Sequence, residues 1–261
     1  MPNEIIYTNN SVLIFDSENE LINNLTTKIL GIVTAALAKN GICSIALSGG
    51  STPKLLYSNL VAHPEARLIP WQNVYFFLGD ERCVSNDSIE SNAKMINQTL
   101  LSNNLIPKEN FFTTKYQDEN PEKAAKFYAD QIKTFFNLSN NDFPKFDLVL
   151  LGLGPDGHTA SLFPDSQALQ ESHNLFVANY IEKFNATRLT LTYPVINNAD
   201  YQIFVVTGKS KTDILPEVIF RGKELKYPAA NVSNNHNQNI IWYTDTLAAA
   251  NFKSIKSTEE I

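Results

Sequence analysis

The residues best equipped for chemistry sit in one stretch, LGLGPDGHTASLFP, at positions 151–164. His158 is one of four histidines in the chain and follows Gly157 in a glycine-rich turn. Imidazole titrates near neutrality, so it can take a proton from water and pass it on. Asp156, two residues earlier, is a carboxylate that could fix the tautomer of that ring, although residues two apart need not touch. The same stretch spells Gly152-x-Gly154-x-x-Gly157, the spacing of a dinucleotide-binding turn. That reading needs a strand before the turn and an acidic strand end about 20 positions later. FDLVLLGL at 146–153 supplies the strand, but no acidic strand end follows at that distance. A base is therefore favoured over a nicotinamide site, and over a histidine that merely caps a short helix.

Three other polar motifs follow apolar runs. Ser48-Gly49-Gly50-Ser51-Thr52-Pro53 can open a helix, with Ser51 or Thr52 as its cap and Pro53 in the first turn, where no N–H is needed. Free N–H groups and the helix dipole would then favour an anion. Two other loop types are excluded: a Walker loop needs a terminal Gly-Lys-Ser/Thr, and a nucleophile elbow needs glycine where Pro53 stands. Gly79-Asp80-Glu81-Arg82 brings two carboxylates and a guanidinium together, which suits sugar hydroxyls or a carbonyl as well as a structural ion pair. Gly208-Lys209-Ser210-Lys211 places lysines early in an expected helix, where they oppose its dipole and make better sense beside an anion. Arg188, in the strand-like TRLTLTY, is a further partner for a phosphate.

The elements that must position these residues alternate between strand and helix patterns. Strands are expected at 5–7, 12–15, 42–47, 71–79, 146–153, 201–208 and 239–244, and helices at 18–39, 53–62, 90–101 and 121–136. Helical segments are also expected after the last two strands. The alternation predicts an α/β fold, a three-layer α/β/α Rossmann-like arrangement around a mainly parallel sheet, with room for a small appended lobe. The four motifs then fall beyond the carboxyl ends of strands, where ligands bind in open α/β sheets. Residues 1–261 read as one domain, with asparagine-rich loops around 137–145 and 233–238.

A formal net charge of −6 argues against nucleic acid or an anionic membrane as partner. Cys43 and Cys83 lie in apolar, strand-like runs and read as buried packing in a reducing compartment. Neither a secretory signal nor a run of membrane-spanning length is apparent, which makes the cytoplasm the expected location. His63, His173 and His236 show no metal-ligand spacing, so no metal is expected.

Taken together, SGGSTP (48–53), GDER (79–82) with SN (91–92), LLGLGPDGHTASLFP (150–164), RLTLT (188–192) and GKSK (208–211) resemble the 6-phosphogluconolactonases, within the group that includes glucosamine-6-phosphate deaminases and ribose-5-phosphate isomerases. The resemblance implies hydrolysis of 6-phosphoglucono-1,5-lactone in the pentose phosphate pathway, without a cofactor. It implies His158 as general base, and Lys211 with Gly49, Gly50, Ser51 and Thr52 at the phosphate, assisted by Arg188. Arg82 would lie near the lactone, and Asp80 and Asp156 complete the expected catalytic set. The partner is then a small phosphorylated lactone, and the protein a monomer or small homo-oligomer. The deaminases carry a glutamate just before the proline of the central motif, where this chain has Phe163. Two positions depart from the lactonase pattern: Ser85 and Asn185-Ala186 stand where prolines are usual. The rival readings are a sugar-phosphate deaminase or isomerase, a non-catalytic sugar-phosphate sensor, and a nicotinamide-dependent dehydrogenase.

Overall fold

The computed structural model describes residues 2–252 except 86, 115–119, 140, 223, 225 and 237–239. In chain order its elements are β1 (Asn3–Tyr7), β2 (Asn10–Phe15), α1 (Glu18–Asn40), β3 (Cys43–Leu47), α2 (Ser51–Ala62), β4 (Val74–Leu78), β5 (Asp80–Arg82), α3 (Asn92–Thr99) and α4 (Pro121–Phe135). There follow β6 (Leu148–Leu151), β7 (Phe176–Ile181), β8 (Ala186–Leu191), α5 (Tyr193–Asn197), β9 (Tyr201–Val206), α6 (Ile214–Arg221) and β10 (Ile240–Asp245).

Among the described residues, seven strands form one sheet in the order β1-β2-β10-β9-β6-β3-β4, parallel throughout except for the β1 edge. β3 and β6 are buried at every position, as strands covered on both faces must be. From β3 the chain moves to β4 on one side and then returns to place β6, β9 and β10 on the other. The order therefore reverses between β3 and β6, so the carboxyl ends of these strands are the topological switch point, where open α/β sheets bind ligands. The appended lobe is a three-stranded antiparallel sheet, β5-β8-β7. β5 follows β4 after the single residue Gly79, whose N–H donates to the Leu47 carbonyl and whose carbonyl accepts from Leu191 N–H. One residue thus ties the two sheets together.

Local chemistry sets the helix ends. The Ser17 hydroxyl accepts from Glu20 N–H at the start of α1, and Gly41, at φ 75°, closes it by donating to the Leu37 carbonyl. Asn120 caps α4, with Pro121 in its first turn.

Several expectations need correction. α1, at 23 residues, is long and apolar enough to cross a membrane, contrary to the reading that no segment reaches that length. Its apolar residues, including Leu21, Leu25, Ile29 and Val33, are buried, and the helix packs on α2 and the sheet, so its composition is that of a core helix. The expected strand at 71–79 shortens to 74–78, because residues 71–73 make a 3₁₀ turn anchored by the Trp71 indole N–H on the Ala66 carbonyl. α2 takes its cap from neither Ser51 nor Thr52: Gly50, at φ 116°, occupies the cap position and both residues lie inside the helix. Residues 209–211 form a separate 3₁₀ turn, and α6 begins only at Ile214. Cys43 is buried, but Cys83 is only half-buried and lies just past β5. β10 leads into turn from 246 to 251 instead of a helix, and residue 239, where that strand was expected to start, lies outside the described residues, as do 140, 237 and 238 of the expected loops.

Candidate active site

The loop after β6 is shaped around His158. A Cβ on Gly154 would stand 1.9 Å from His158 Nδ1, and one on Gly157 would stand 2.5 Å from the Tyr227 ring, with Gly157 at φ 75°. Gly154 N–H donates to the His158 carbonyl at 2.8 Å, and Gly157 N–H to the Gly154 carbonyl at 3.1 Å. Gly152, by contrast, has nothing within 4 Å of its would-be Cβ. No helix opens after Gly157, whereas a dinucleotide turn must lead into one. The glycine spacing here accommodates an imidazole and a tyrosine ring.

His158 and Asp156 do touch: Nδ1 lies 2.5 Å from Asp156 Oδ1. Lys183 Nζ donates to the other carboxylate oxygen at 3.2 Å. Phe163 stacks on the imidazole, with ring centroids 3.9 Å apart. Burial works against the Asp156 carboxylate, but the hydrogen bond and charge of His158 and the hydrogen bond from Lys183 outweigh it and hold its pKa below the ordinary range. With Nδ1–H directed at a carboxylate, the lone pair at Nε2 is the one left for chemistry.

The acidic motif separates into distinct jobs. Glu81 does not join Asp80 at a common site. It is buried and accepts from Arg82 N–H, Asn92 N–H and Ala93 N–H at 2.7–2.8 Å, holding the start of α3. Burial pushes its pKa up against those hydrogen bonds. Asp80 accepts from Ser161 Oγ at 2.7 Å and from the Asn92 amide at 3.3 Å, which ties β5 to the His158 loop and to α3. The Asn92 side chain also fills the space beside Gly49, where a Cβ would lie 1.9 Å from its Oδ1. The Gly49 loop, α3, Asp80 and the His158 loop are thus one connected set.

Arg82 and Arg188 stand directly opposite each other in the β5–β8 ladder. Like charges in that relation repel. The Arg82 guanidinium donates to the Glu90 carbonyl, and the Arg188 charge reaches the Cys83 thiol, opposing the burial that raises that thiol to about 11. On the other flank, Lys211 is half-buried and close enough to Asp156 to feel its charge. Desolvation nevertheless lowers the Lys211 pKa. Lys209 is exposed. Ser51 is exposed in the first turn of α2, and Thr52 bonds Thr207 Oγ1 at 2.7 Å. Two buried side-chain oxygens among the described residues have no hydrogen-bond partner, and both belong to these loops: Ser48 Oγ and Thr159 Oγ1.

Sequence reasoning missed Asn92 and Ser161 as connectors and Lys183 as a partner of Asp156. Only Asn92 left a signal, in the Ser-Asn pair after the acidic motif. Asn185 adopts φ 46°, a conformation closed to the proline usual there.

Fold and site define a class: an α/β enzyme with a carboxylate-paired imidazole in the loop after the switch-point strand β6, Lys211 near that carboxylate, and two facing arginines on the small sheet. The sequence model of the family described as glucosamine-6-phosphate isomerases/6-phosphogluconolactonase matches residues 16–242. A 6-phosphogluconolactonase of Nostoc sp. is 38% identical over 241 residues, covering 92% of this chain and 97% of the relative. One from Synechocystis sp. is 39% identical over 222 residues, covering 85% of this chain and 89% of the relative. The solved 6-phosphogluconolactonase of Trypanosoma brucei superposes with a TM-score of 0.80 at 30% identity, covering 92% of this chain and 97% of that one. The chain belongs to the glucosamine-6-phosphate isomerase/6-phosphogluconolactonase family.

Proposed function

We propose that this protein hydrolyses 6-phosphoglucono-1,5-lactone to 6-phosphogluconate, with His158 as general base. The observation that carries the mechanism is the pairing of His158 Nδ1 with Asp156, which leaves Nε2 free to accept a proton. Nε2 takes a proton from water as the hydroxide adds to C1 of the lactone. Negative charge develops on the carbonyl oxygen, where Arg82 and backbone N–H groups stabilise it. The C1–ring-oxygen bond then breaks as the imidazolium returns its proton to the leaving ring oxygen. Asp80, bonded by Ser161 and Asn92, holds the His158 loop and the start of α3 together and is the remaining member of the catalytic set.

The phosphate is assigned to the start of α2, with Gly49, Gly50, Ser51 and Thr52, and to Lys211 and Arg188. An anion between these groups explains why Arg188 is set opposite Arg82 and why Lys211 is kept half-buried. Anchoring a remote phosphate orients C1 toward the base, so phosphate contacts contribute to turnover as well as affinity.

Phe163 favours the lactonase over a deaminase reading. The position holds no carboxylate for ring opening, and its ring is stacked on the base. The test is lactonase activity on freshly generated 6-phosphogluconolactone above spontaneous hydrolysis, with glucosamine 6-phosphate and the His158→Ala variant in parallel. Acceleration on the lactone alone, reduced about a hundredfold or more in the variant, is expected. Near-normal turnover by His158→Ala would reject the base. Tight binding of 6-phosphogluconate without acceleration would make the protein a sensor.

A further inference from the structure

The contacts around His158 close into a circuit that leaves the loop and returns to it. His158 bonds Asp156, and Asp156 is bonded by Lys183. The Lys183 ammonium lies 5.5 Å from the centroid of the Phe184 ring. Phe184 packs edge-on against Phe163 at 5.6 Å, and Phe163 stacks back on His158. Lys183 and Phe184 both belong to the 3₁₀ turn at 182–184 that joins β7 to β8. That turn is itself pinned: Asn185 closes it in the left-handed region, and its side-chain oxygen accepts from the Tyr180 hydroxyl at 2.6 Å.

We propose that this turn is a positioning element for the base, with Lys183 orienting the Asp156 carboxylate and Phe184 bracing Phe163 against the imidazole. The inference rests on the reading of His158 as base and extends it to residues that do not touch the lactone. Rotation of a carboxylate about its terminal torsion is soft, so bonds to a single oxygen do not fix its plane. The His158 ring and backbone N–H both bond Oδ1, and Lys183 bonds the other oxygen, Oδ2. Phe184 is half-exposed, and its ring is set edge-on against Phe163, which stacks on the imidazole.

An ordinary surface ion pair contributes little to stability and nothing to kinetics, so the two roles separate experimentally. The charged and titratable groups around the imidazole are Asp156 on its own loop, Lys183 on the β7–β8 turn, Lys211 after β9 and Tyr227 behind Gly157. Asp165 and Glu182 line the adjoining cavity of about 530 Å³, together with Asp156, Phe163 and Lys183. Removing the Lys183 ammonium leaves the Asp156 charge less compensated beside the ring, which favours imidazolium. Activity that requires the neutral base then appears at higher pH.

The experiment measures kcat and KM for the phosphorylated lactone against pH in Lys183→Met, Lys183→Arg and Phe184→Ala, with His158→Ala and the His158→Ala/Lys183→Met double variant alongside. Lys183→Met should lose about three- to tenfold in kcat, with KM held within about twofold. Its acid limb should move to higher pH, and Lys183→Arg should restore both. Phe184→Ala should lower kcat without moving the limb, and the double variant should be no slower than His158→Ala alone. A Lys183→Met enzyme with unchanged kcat and pH profile overturns the proposal, as does one altered in KM only, which would place Lys183 on the substrate. Wild-type turnover by His158→Ala instead removes the base itself, and the positioning role falls with it.

Discussion

Gly154→Ala tests the geometry of the base with a single methyl group. Gly154 is outside the left-handed region, so alanine suits its backbone and the whole effect falls on the side chain it meets. The new Cβ would stand 1.9 Å from His158 Nδ1, 2.0 Å from Cε1 and 2.7 Å from Cγ. Ordinary contact begins near 3.4 Å, so the imidazole must withdraw by about 1.5 Å. Withdrawal is obstructed by Phe163, already stacked at 3.9 Å, and breaks the bond to Asp156. Displacement of a catalytic group by about 1 Å costs roughly a hundredfold in rate, and overpacking costs about 1–3 kcal/mol in stability. Gly154→Ala should therefore fold, melt a few degrees lower and hydrolyse the lactone about a hundredfold more slowly at saturating substrate. Gly152→Ala, with nothing in reach of its methyl, is the control and should behave as wild type. Initial rates by continuous proton release, read with thermal melts of both variants, decide the matter. A Gly154→Ala enzyme with normal kcat would refute both the placement of the ring and its role. A Gly152→Ala enzyme disabled more than Gly154→Ala would restore the dinucleotide reading of the loop.

Arg188→Gln should weaken binding of 6-phosphogluconate by about ten- to a hundredfold, the size of one charge-assisted hydrogen bond, while relieving the repulsion from Arg82 in the free protein. Calorimetric titration together with the melting temperature checks both signs, and unchanged affinity would remove Arg188 from the phosphate. Glu81→Gln places an amide against N–H groups that a carboxylate now satisfies, at a cost of about 1–3 kcal/mol. The raised pKa of Glu81 means that the folded state holds this proton more tightly than the unfolded one. Its ionisation therefore removes stability as pH rises above the ordinary glutamate range, a slope that Glu81→Gln should lack in melts from about pH 4 to pH 8.

The parts legible in the sequence were those specified by local rules. α1 announces itself by its spacing and by Ser17 and Gly41 at its ends, and β3 and β6 by uninterrupted apolar runs. The four motifs could be gathered at one edge because a parallel sheet puts all its carboxyl ends together. The three-stranded sheet was harder to read. β5 is three polar residues, and β7 buries Asn179, whose amide donates to the Ser161 carbonyl, so neither carries the pattern of an ordinary strand. Glu81 looked like a partner of Asp80, but successive residues of a strand point to opposite faces, and which face led to the site depended on α3. Lys183 is 27 residues from Asp156, and no local signal relates them.

The small sheet also explains how phosphate binding can affect chemistry at a distance. β8 carries Arg188 at one position and, two residues on, Thr190, whose hydroxyl accepts from Ser161 N–H at 3.2 Å. Ser161 in turn donates its hydroxyl to Asp80, which lies opposite Thr190 in the β5–β8 ladder. The β7–β8 turn at the start of the same strand reaches Asp156 through Lys183. One strand thus bears the proposed phosphate ligand and two separate attachments to the His158 loop. It is fixed to the main sheet at Gly79, where a side chain would press on the Leu47 carbonyl at 3.2 Å. A phosphate held by Arg188 would offset its repulsion from Arg82 and settle β8, and the same settling would hold the loop that presents the base. Binding energy collected at one end of the substrate is in this way realised at the other, as required of contacts that raise kcat and not only affinity.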